Sequence, residues 1–370
     1  MVDDVQQRPR HQPHTGHKIT ANDGQDDSPE LQAIINAAPA TATLYFPLGT
    51  YNFSSEVDLR AGQKYVGAAN TVIQSTNLPD GVVFKLAYFT SLRDNVTIAG
   101  LTFDGGGVFV DNGVNDMNQN ITVAYNVFNI HTSGNRKFGF QFTSGLRHSR
   151  ITNNRFTTPD RLLSEFGIMG YSAHCYDDLT IANNEFFNLV GGIHVDAQEG
   201  TQSTGLLVEQ NYLSGIGHQG MEFQGGVDNA TFQDNFYENP VLDPIYRVNM
   251  NAYGFSLPLD RSTNVVIRRN TVIAPQRPDG KGSRIAFEVG GGTNSANGTL
   301  VQDNYINGIN APINNNDFSD NGSYVTAQGN RIISGLELVH VDVDKQSNNG
   351  PDTVLTWDIY RRPPGTGSRY

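Results

Sequence analysis

Residues Leu179 to Ala197 read LTIANNEFFNLVGGIHVDA, and much of the chain repeats their plan. Leu179 and Ile181 alternate with polar residues as a short strand, Asn184 and Phe186 turn the chain, and Gly192, Ile193, Val195 and Ala197 begin a second alternation. The same phrase returns as VAYNVF at Asn126, ITNNRF at Asn154, VEQNYL at Asn211, FQDNFY at Asn235, IRRNTV at Asn270, VQDNYI at Asn304 and AQGNRI at Asn330. Successive asparagines are 28, 30, 27, 24, 35, 34 and 26 residues apart. A floor in the mid-twenties suits a rung of three short strands, and the excess in some rungs reads as loops added to a constant frame. The expected fold is therefore all-β, a β-helix solenoid. The asparagines should stack at one turn, each amide bonding its neighbour and the turn's backbone.

A solenoid lengthens by adding rungs, so 370 residues need only one domain. Residues 1–18 read as a flexible arm, 19–345 as the β-helix and 346–370 as a tail or cap, with rungs running from about Thr71 to Asp344. The apolar runs are too short to span a bilayer, so no membrane partner is expected. A net charge of −12 argues against nucleic acid, because phosphate binding relies on a basic face. The single cysteine, Cys175, excludes an internal disulfide and reads as a small residue near a turn. The start, MVDDVQQRPRHQPHTGHK, lacks an apolar leader core. Either the chain is cytosolic, or a leader was removed and the location is secreted or extracellular.

From Ser28, the segment SPELQAIINAA offers an N-cap serine, proline at the first helical position and an apolar stripe through Leu31, Ile34 and Ile35. A short helix here should cap the first rung, whose strand edges and core would otherwise be open. LYFPLGTYNF, Leu44 to Phe53, follows as the entering strand and turn. The order DGQDDSPELQAIINAA then LYFPLGTY resembles the N-terminal signature of the pectate-lyase-like right-handed parallel β-helix proteins, in which a DG…D…LQ helix precedes a P-x-G-x-Y strand. The motif covers residues 19–75. That group includes lyases, hydrolases, epimerases and tailspike depolymerases, so the resemblance implies a polysaccharide partner without choosing the chemistry. The NTD, DD and GHG set of polygalacturonases and the DPHE set of mannuronan epimerases do not occur here, so no catalytic residues carry over.

The site must be read from strand parity. The strands after each Asn turn are GFQFT from Gly139, GIMGY from Gly167, GIHVD from Gly192, GMEFQ from Gly220, GFSLP from Gly254 and AFEVG from Ala286. Period two turns Phe140, Ile168, Ile193, Met221, Phe255 and Phe287 inward. It turns Gln141, Met169, His194, Glu222, Ser256 and Glu288 outward, with Thr143, Tyr171, Asp196 and Gln224 in a second outward column. A sheet's outer face is polar in any case, which would explain each residue singly. From turn Asn to strand Gly or Ala, however, the gaps are 13, 13, 8, 9, 19 and 16 residues, so long loops flank the two rungs that carry His194, Asp196 and Glu222. A floor between walls is a groove.

Neighbouring rungs lie ~4.8 Å apart and alternate residues ~6.7 Å apart, which sets Asp196 and Glu222 on the order of 8 Å apart. That separation suits inverting glycoside hydrolysis, which leaves room for a water. Glu222, raised by neighbouring carboxylates, would be the acid, and Asp196 the base. His194 would orient or polarise, Tyr171 and Gln224 would bind hydroxyls, and Glu288 and Gln141 would help hold the sugar. No metal or cofactor is needed for that chemistry. The rival is β-elimination on a uronate, with Tyr171 or His194 as base and either arginines or Ca²⁺ held by Asp196, Glu222 and Glu288 as neutraliser. The walls carry Arg161, Arg247 and Arg284 among several cations, Arg155 included. A third reading is a glycan-binding β-helix without catalysis.

Overall fold

The computed structural model describes residues 19–75, 82–86, 94–111, 117–131, 138–159, 166–172, 175–197, 202–217, 219–224, 226–238, 253–257, 263–273, 285–289, 298–307, 311–315, 325–333, 341–344 and 356–359. The fold is an all-β parallel β-solenoid. It divides into two compact units, Met1–Glu185 and Phe186–Tyr370.

In the first unit every rung contributes one strand to each of three parallel sheets. The first sheet takes Thr43–Phe46, Lys64–Gly67, Thr97–Ala99, Thr122–Ala124, Leu146–Thr152 and Tyr176–Ala182. The second takes Gly49–Phe53, Thr71–Ser75, Thr102–Asp104, Val127–Asn129 and Arg155–Thr157. The third takes Val57–Asp58, Val82–Leu86, Gly107–Val110, Phe138–Phe142 and Phe166–Ser172. Pairing is in register, so like side chains stack from rung to rung and the core is a bundle of columns. Tyr65, Ile98, Val123, Ile151 and Ile181 form one, all at most 1% exposed. Phe84, Val108, Phe140 and Ile168 form another. In the second sheet Phe103, Phe128 and Phe156 lie ring over ring, with centroids 4.9 and 4.8 Å apart. That spacing is the rung repeat itself.

The second unit repeats the plan. Its first sheet is Gln202–Glu209, Gly226–Gln233, Thr263–Arg268, Thr299–Gln302 and Val325–Gln328, and its second is Tyr212–Ser214, Phe236–Glu238, Thr271–Ile273, Tyr305–Asn307 and Arg331–Ile333. The third is Gly191–Ala197, Gln219–Gln224, Tyr253–Leu257, Ile285–Val289 and Ala311–Asn315. The expected inward residues Phe140, Ile168, Ile193 and Met221 are all fully buried. Phe255 and Phe287 share the register of Met221, but their side chains lie outside the described residues.

The asparagine ladder is present in both units. Asn126 Oδ1 accepts from Leu101 N (3.0 Å), while its Nδ2 donates to Ile98 O (2.9 Å) and to Asn154 Oδ1 (3.1 Å). Asn154 and Asn184 repeat the pattern. In the second unit it runs through Asn211, Asn235, Asn270, Asn304 and Asn330. The residue before each rung Asn is left-handed, from Tyr125 (φ 58°) to Arg269 (φ 53°) and Gly329 (φ 65°). This sharp corner leaves backbone groups without strand partners, and the amides take them up.

Three boundaries differ from expectation. Parallel pairing begins at Thr43, not near Thr71, because the segment after the helix already forms a rung. Among the described residues the parallel strands end at Ile333, and Val341–Asp344 instead pairs antiparallel with Thr356–Ile359. The helix is Ser28–Ala37 with Asp27, not Ser28, at its N-cap. Asp27 makes no capping bond because its carboxylate accepts from Asn52 N on the edge strand (2.8 Å). Gln32 bonds the other edge strand, donating to Asp58 O (3.1 Å) and accepting from Asp58 N (2.7 Å). The helix thus covers strand edges as well as apolar core, through Leu31 and Ile35. Cys175 is buried.

Asp26, just before the helix, accepts from the backbone N and hydroxyl of both Ser28 and Ser54. Burial pushes its carboxyl up, but these donors together outweigh that and bring it down to about 2. The folded value lies below the unfolded one, so its contribution is present above pH 3.8 and is lost as pH falls towards about 2. Melting temperature against pH should therefore drop more steeply over this window for the wild type than for Asp26→Asn. Parallel acid limbs would refute the role of these bonds.

Candidate functional site

Among the described residues, a titratable group stands on the outer face of the second unit's third sheet, on strands Gly191–Ala197 and Gln219–Gln224. Glycine lets these two rungs approach, since a Cβ at Gly192 would crowd the Gly220 carbonyl oxygen and the Leu213 side chain. Ile193 and Val195 then point into the core beside Met221 and Phe223. Alternation turns His194 and Asp196 outward, and register sets His194 opposite Glu222 and Asp196 opposite Gln224.

His194 Nδ1 and Glu222 Oε2 are 2.5 Å apart, an ion-pair contact across adjacent rungs. Glu222 is outward in parity yet only 4% exposed, which corrects the expectation of an exposed residue. Period two tells which side of a sheet a residue takes, not what covers it. Asp196 is half-buried, diagonal to Glu222 and near His194. Burial raises its carboxyl above the ordinary value, His194 opposes that rise, and Glu222 adds to it.

A raised folded value means that the fold disfavours the Asp196 charge, so stability falls as pH climbs from 3.8 through that value. Asp196→Asn removes this penalty. It should melt above the wild type at pH 7, with the gap closing below pH 3.8. A lower melting temperature at both pH values would overturn the assignment.

The remaining candidates divide. Ser256 and Glu288 continue the column of Glu222 by backbone register. The side chains of Gln224, Ser256 and Glu288, and all of Arg161, Arg247 and Arg284, lie outside the described residues. Tyr171 and Gln141 belong to the first unit. Tyr171 is 59% exposed there, and Gln141, 9% exposed, pairs in register with Phe109 and Met169. Arg155 is not a wall residue, since it sits on the second sheet and bonds Glu185 at 3.0 Å. Of the three carboxylates that elimination would use to hold Ca²⁺, two are described, and one of these, Glu222, contacts His194. Among the described residues no cluster of three or more His, Cys, Asp or Glu could hold a metal ion, and no helix is long and apolar enough to cross a membrane.

Sequence reading missed an apolar cluster on the outer face of the first unit's third sheet, where Phe109 and Phe138 pack with Phe166 and Met169. Parity could have found Phe109, which stands between the inward Val108 and Val110.

Neither a protein-family model nor a curated protein sequence matches the chain. Solved structures do match in fold. The surface protein and adhesin PfbA of Streptococcus pneumoniae is 15% identical, with TM-score 0.55, over 85% of this chain and 95% of that one. A tailspike protein of E. coli bacteriophage HK620, solved with a hexasaccharide, is 14% identical with TM-score 0.57, over 84% of this chain and 62% of its own. An exopolygalacturonase from Thermotoga maritima is 10% identical with TM-score 0.52, over 84% and 88%. The expected parallel β-helix fold is thereby borne out.

Proposed function

We infer that the chain cleaves glycosidic bonds of a polysaccharide on the outer face of the second unit's third sheet, with Asp196 and Glu222 as the carboxylate pair. The observation that carries this reading is a pair of outward carboxylates on adjacent rungs in opposite electrostatic settings, one set against a histidine and one raised by burial. Environments that push two carboxyls apart mark an acid and a base. The rise at Asp196 favours exchanging the roles expected from sequence: Asp196 serves as the acid and Glu222, set against His194, as the base.

Asp196 gives its proton to the leaving glycosidic oxygen as the bond to the anomeric carbon breaks. Glu222 takes a proton from a water whose oxygen attacks that carbon from the other side, inverting its configuration. The diagonal placement, on the order of 8 Å, leaves room for that water. Fold neighbours that include an exopolygalacturonase and a tailspike solved with a hexasaccharide support a carbohydrate partner. PfbA, named as an adhesin, keeps binding without cleavage as the second reading.

Incubation with a panel of polysaccharides, following reducing ends and unsaturated uronates together, tests the reading. Reducing ends alone, released with inverted configuration and unaffected by EDTA, are expected. Unsaturated products abolished by EDTA and restored by Ca²⁺ would replace hydrolysis by elimination, and no cleavage alongside glycan binding would favour the adhesin-like reading.

A further inference from the structure

The core of the second unit is a set of columns, and one of them can be followed to the last described rung. Val208, Phe232, Ile267 and Val301 stack in register on the first sheet, and all are 0% exposed. Ala327 is the next member of this column, yet it is exposed. Ile332 and Ile313 hold the equivalent inward positions on the second and third sheets, in register with Ile306 and Phe287. This rung therefore turns apolar positions towards whatever lies beyond it, and a solenoid end of that kind needs a cover.

Val341–Asp344 and Thr356–Ile359 form an antiparallel hairpin that stands outside the three parallel sheets. Register places Val341, Val343, Trp357 and Ile359 on one face of it and Asp342, Asp344, Thr356 and Asp358 on the other. A two-stranded hairpin alone is marginal in water, and Asp342 directly opposite Asp358 weakens this one further. Its stability has to come from burying the apolar face, which carries the chain's single tryptophan. The segment 334–340, which joins the hairpin to the last parallel strand, can span at most roughly 25 Å. Facing sheets lie about 10 Å apart, so the hairpin is tethered within reach of this core opening.

We propose that the apolar face of the hairpin is the lid of the last rung, with Trp357 seated over Ala327 and the register positions of Ile332 and Ile313. The hairpin lies across the core opening and adds no strand to the parallel sheets, and its aspartate face is left to water. This pairing of two surfaces within the chain stands apart from the glycan reading.

Because Trp357 is the only tryptophan, the emission of the full chain reports on the lid alone. It should lie to the blue of the guanidinium-unfolded chain and resist quenching by acrylamide. Ala327→Glu, which sets a carboxylate in the seat, should move the emission to the unfolded position and raise acrylamide quenching several-fold. Thr326→Glu, one residue away in the outward column, should leave both unchanged. A bimane label separates undocking from loss of the rung: on Thr326→Cys it should be quenched several-fold by the nearby tryptophan and recover in Trp357→Phe. Cys175 is buried, so the new thiol takes the label. Wild-type emission at the unfolded position, unchanged emission in Ala327→Glu, or a label that does not respond to Trp357→Phe would overturn the lid. A blue-shifted emission that fades on dilution would also overturn it, since the hairpin would then sit on a second copy.

Discussion

Glu222→Gln lowers the rate of polysaccharide cleavage by roughly 10² to 10⁴, the usual loss when a positioned acid or base is removed. The amide keeps the size of the side chain but cannot accept the proton of the attacking water. Asp196→Asn should cost a similar factor, because the leaving oxygen then departs without a proton. The two variants differ in stability: Asp196→Asn melts higher at neutral pH, whereas Glu222→Gln leaves the His194 ring facing a neutral group in an enclosed place and melts lower. A pH–rate profile separates the roles further, since the variant lacking the base should lose the acid limb and the variant lacking the acid the alkaline limb. Near-normal turnover in both amide variants would sink the pair and turn attention to His194.

Asn270→Ala should destabilise the second unit by roughly 3–6 kcal/mol, a large share of the 5–15 kcal/mol of a typical fold. Asn270 Oδ1 accepts from Asn235 N (3.0 Å) and Asn235 Nδ2 (2.9 Å), and its Nδ2 donates to Phe232 O (3.0 Å) and Asn304 Oδ1 (3.0 Å). Truncation removes all four bonds and leaves a buried amide and a buried carbonyl at the corner without partners. In a solenoid each rung touches only its neighbours, so the damage is local. Hydrogen exchange should rise at Asn235, Asn270 and Asn304 and barely change at Asn126 and Asn154. A uniform rise, or a loss below about 1 kcal/mol, would show that the ladder is not what holds the corner.

The register was legible because one phrase recurs in fixed phase. Once Gly192 and Gly220 are aligned, Ile193 and Met221 fall inward and His194 comes to stand against Glu222 without any structural information. Burial was not legible in the same way. Glu222 has the parity of an exposed residue and is enclosed, and Phe109 has the parity of a polar one and lies in an apolar cluster. What covers an outer face depends on segments outside the repeat, whose conformation no period constrains. The first rung was misplaced for a related reason: Thr43–Phe46 and Gly49–Phe53 pair like later strands but precede the first asparagine phrase. The role of Gln32 was unreadable too, since its partner, Asp58, lies 26 residues away.

Gln32 and Asp27 occupy the hydrogen-bonding groups of Asp58 and Asn52 on the outermost strands. Parallel rungs are a template that any compatible strand can extend, and a second copy of this molecule is the most abundant such strand. The helix therefore acts as a chain terminator for self-assembly. A protein beginning at Thr43 would keep its rungs but lose that terminator, and it should pass from single particles to end-to-end filaments as concentration rises, a transition that light scattering would register and full-length protein would not show.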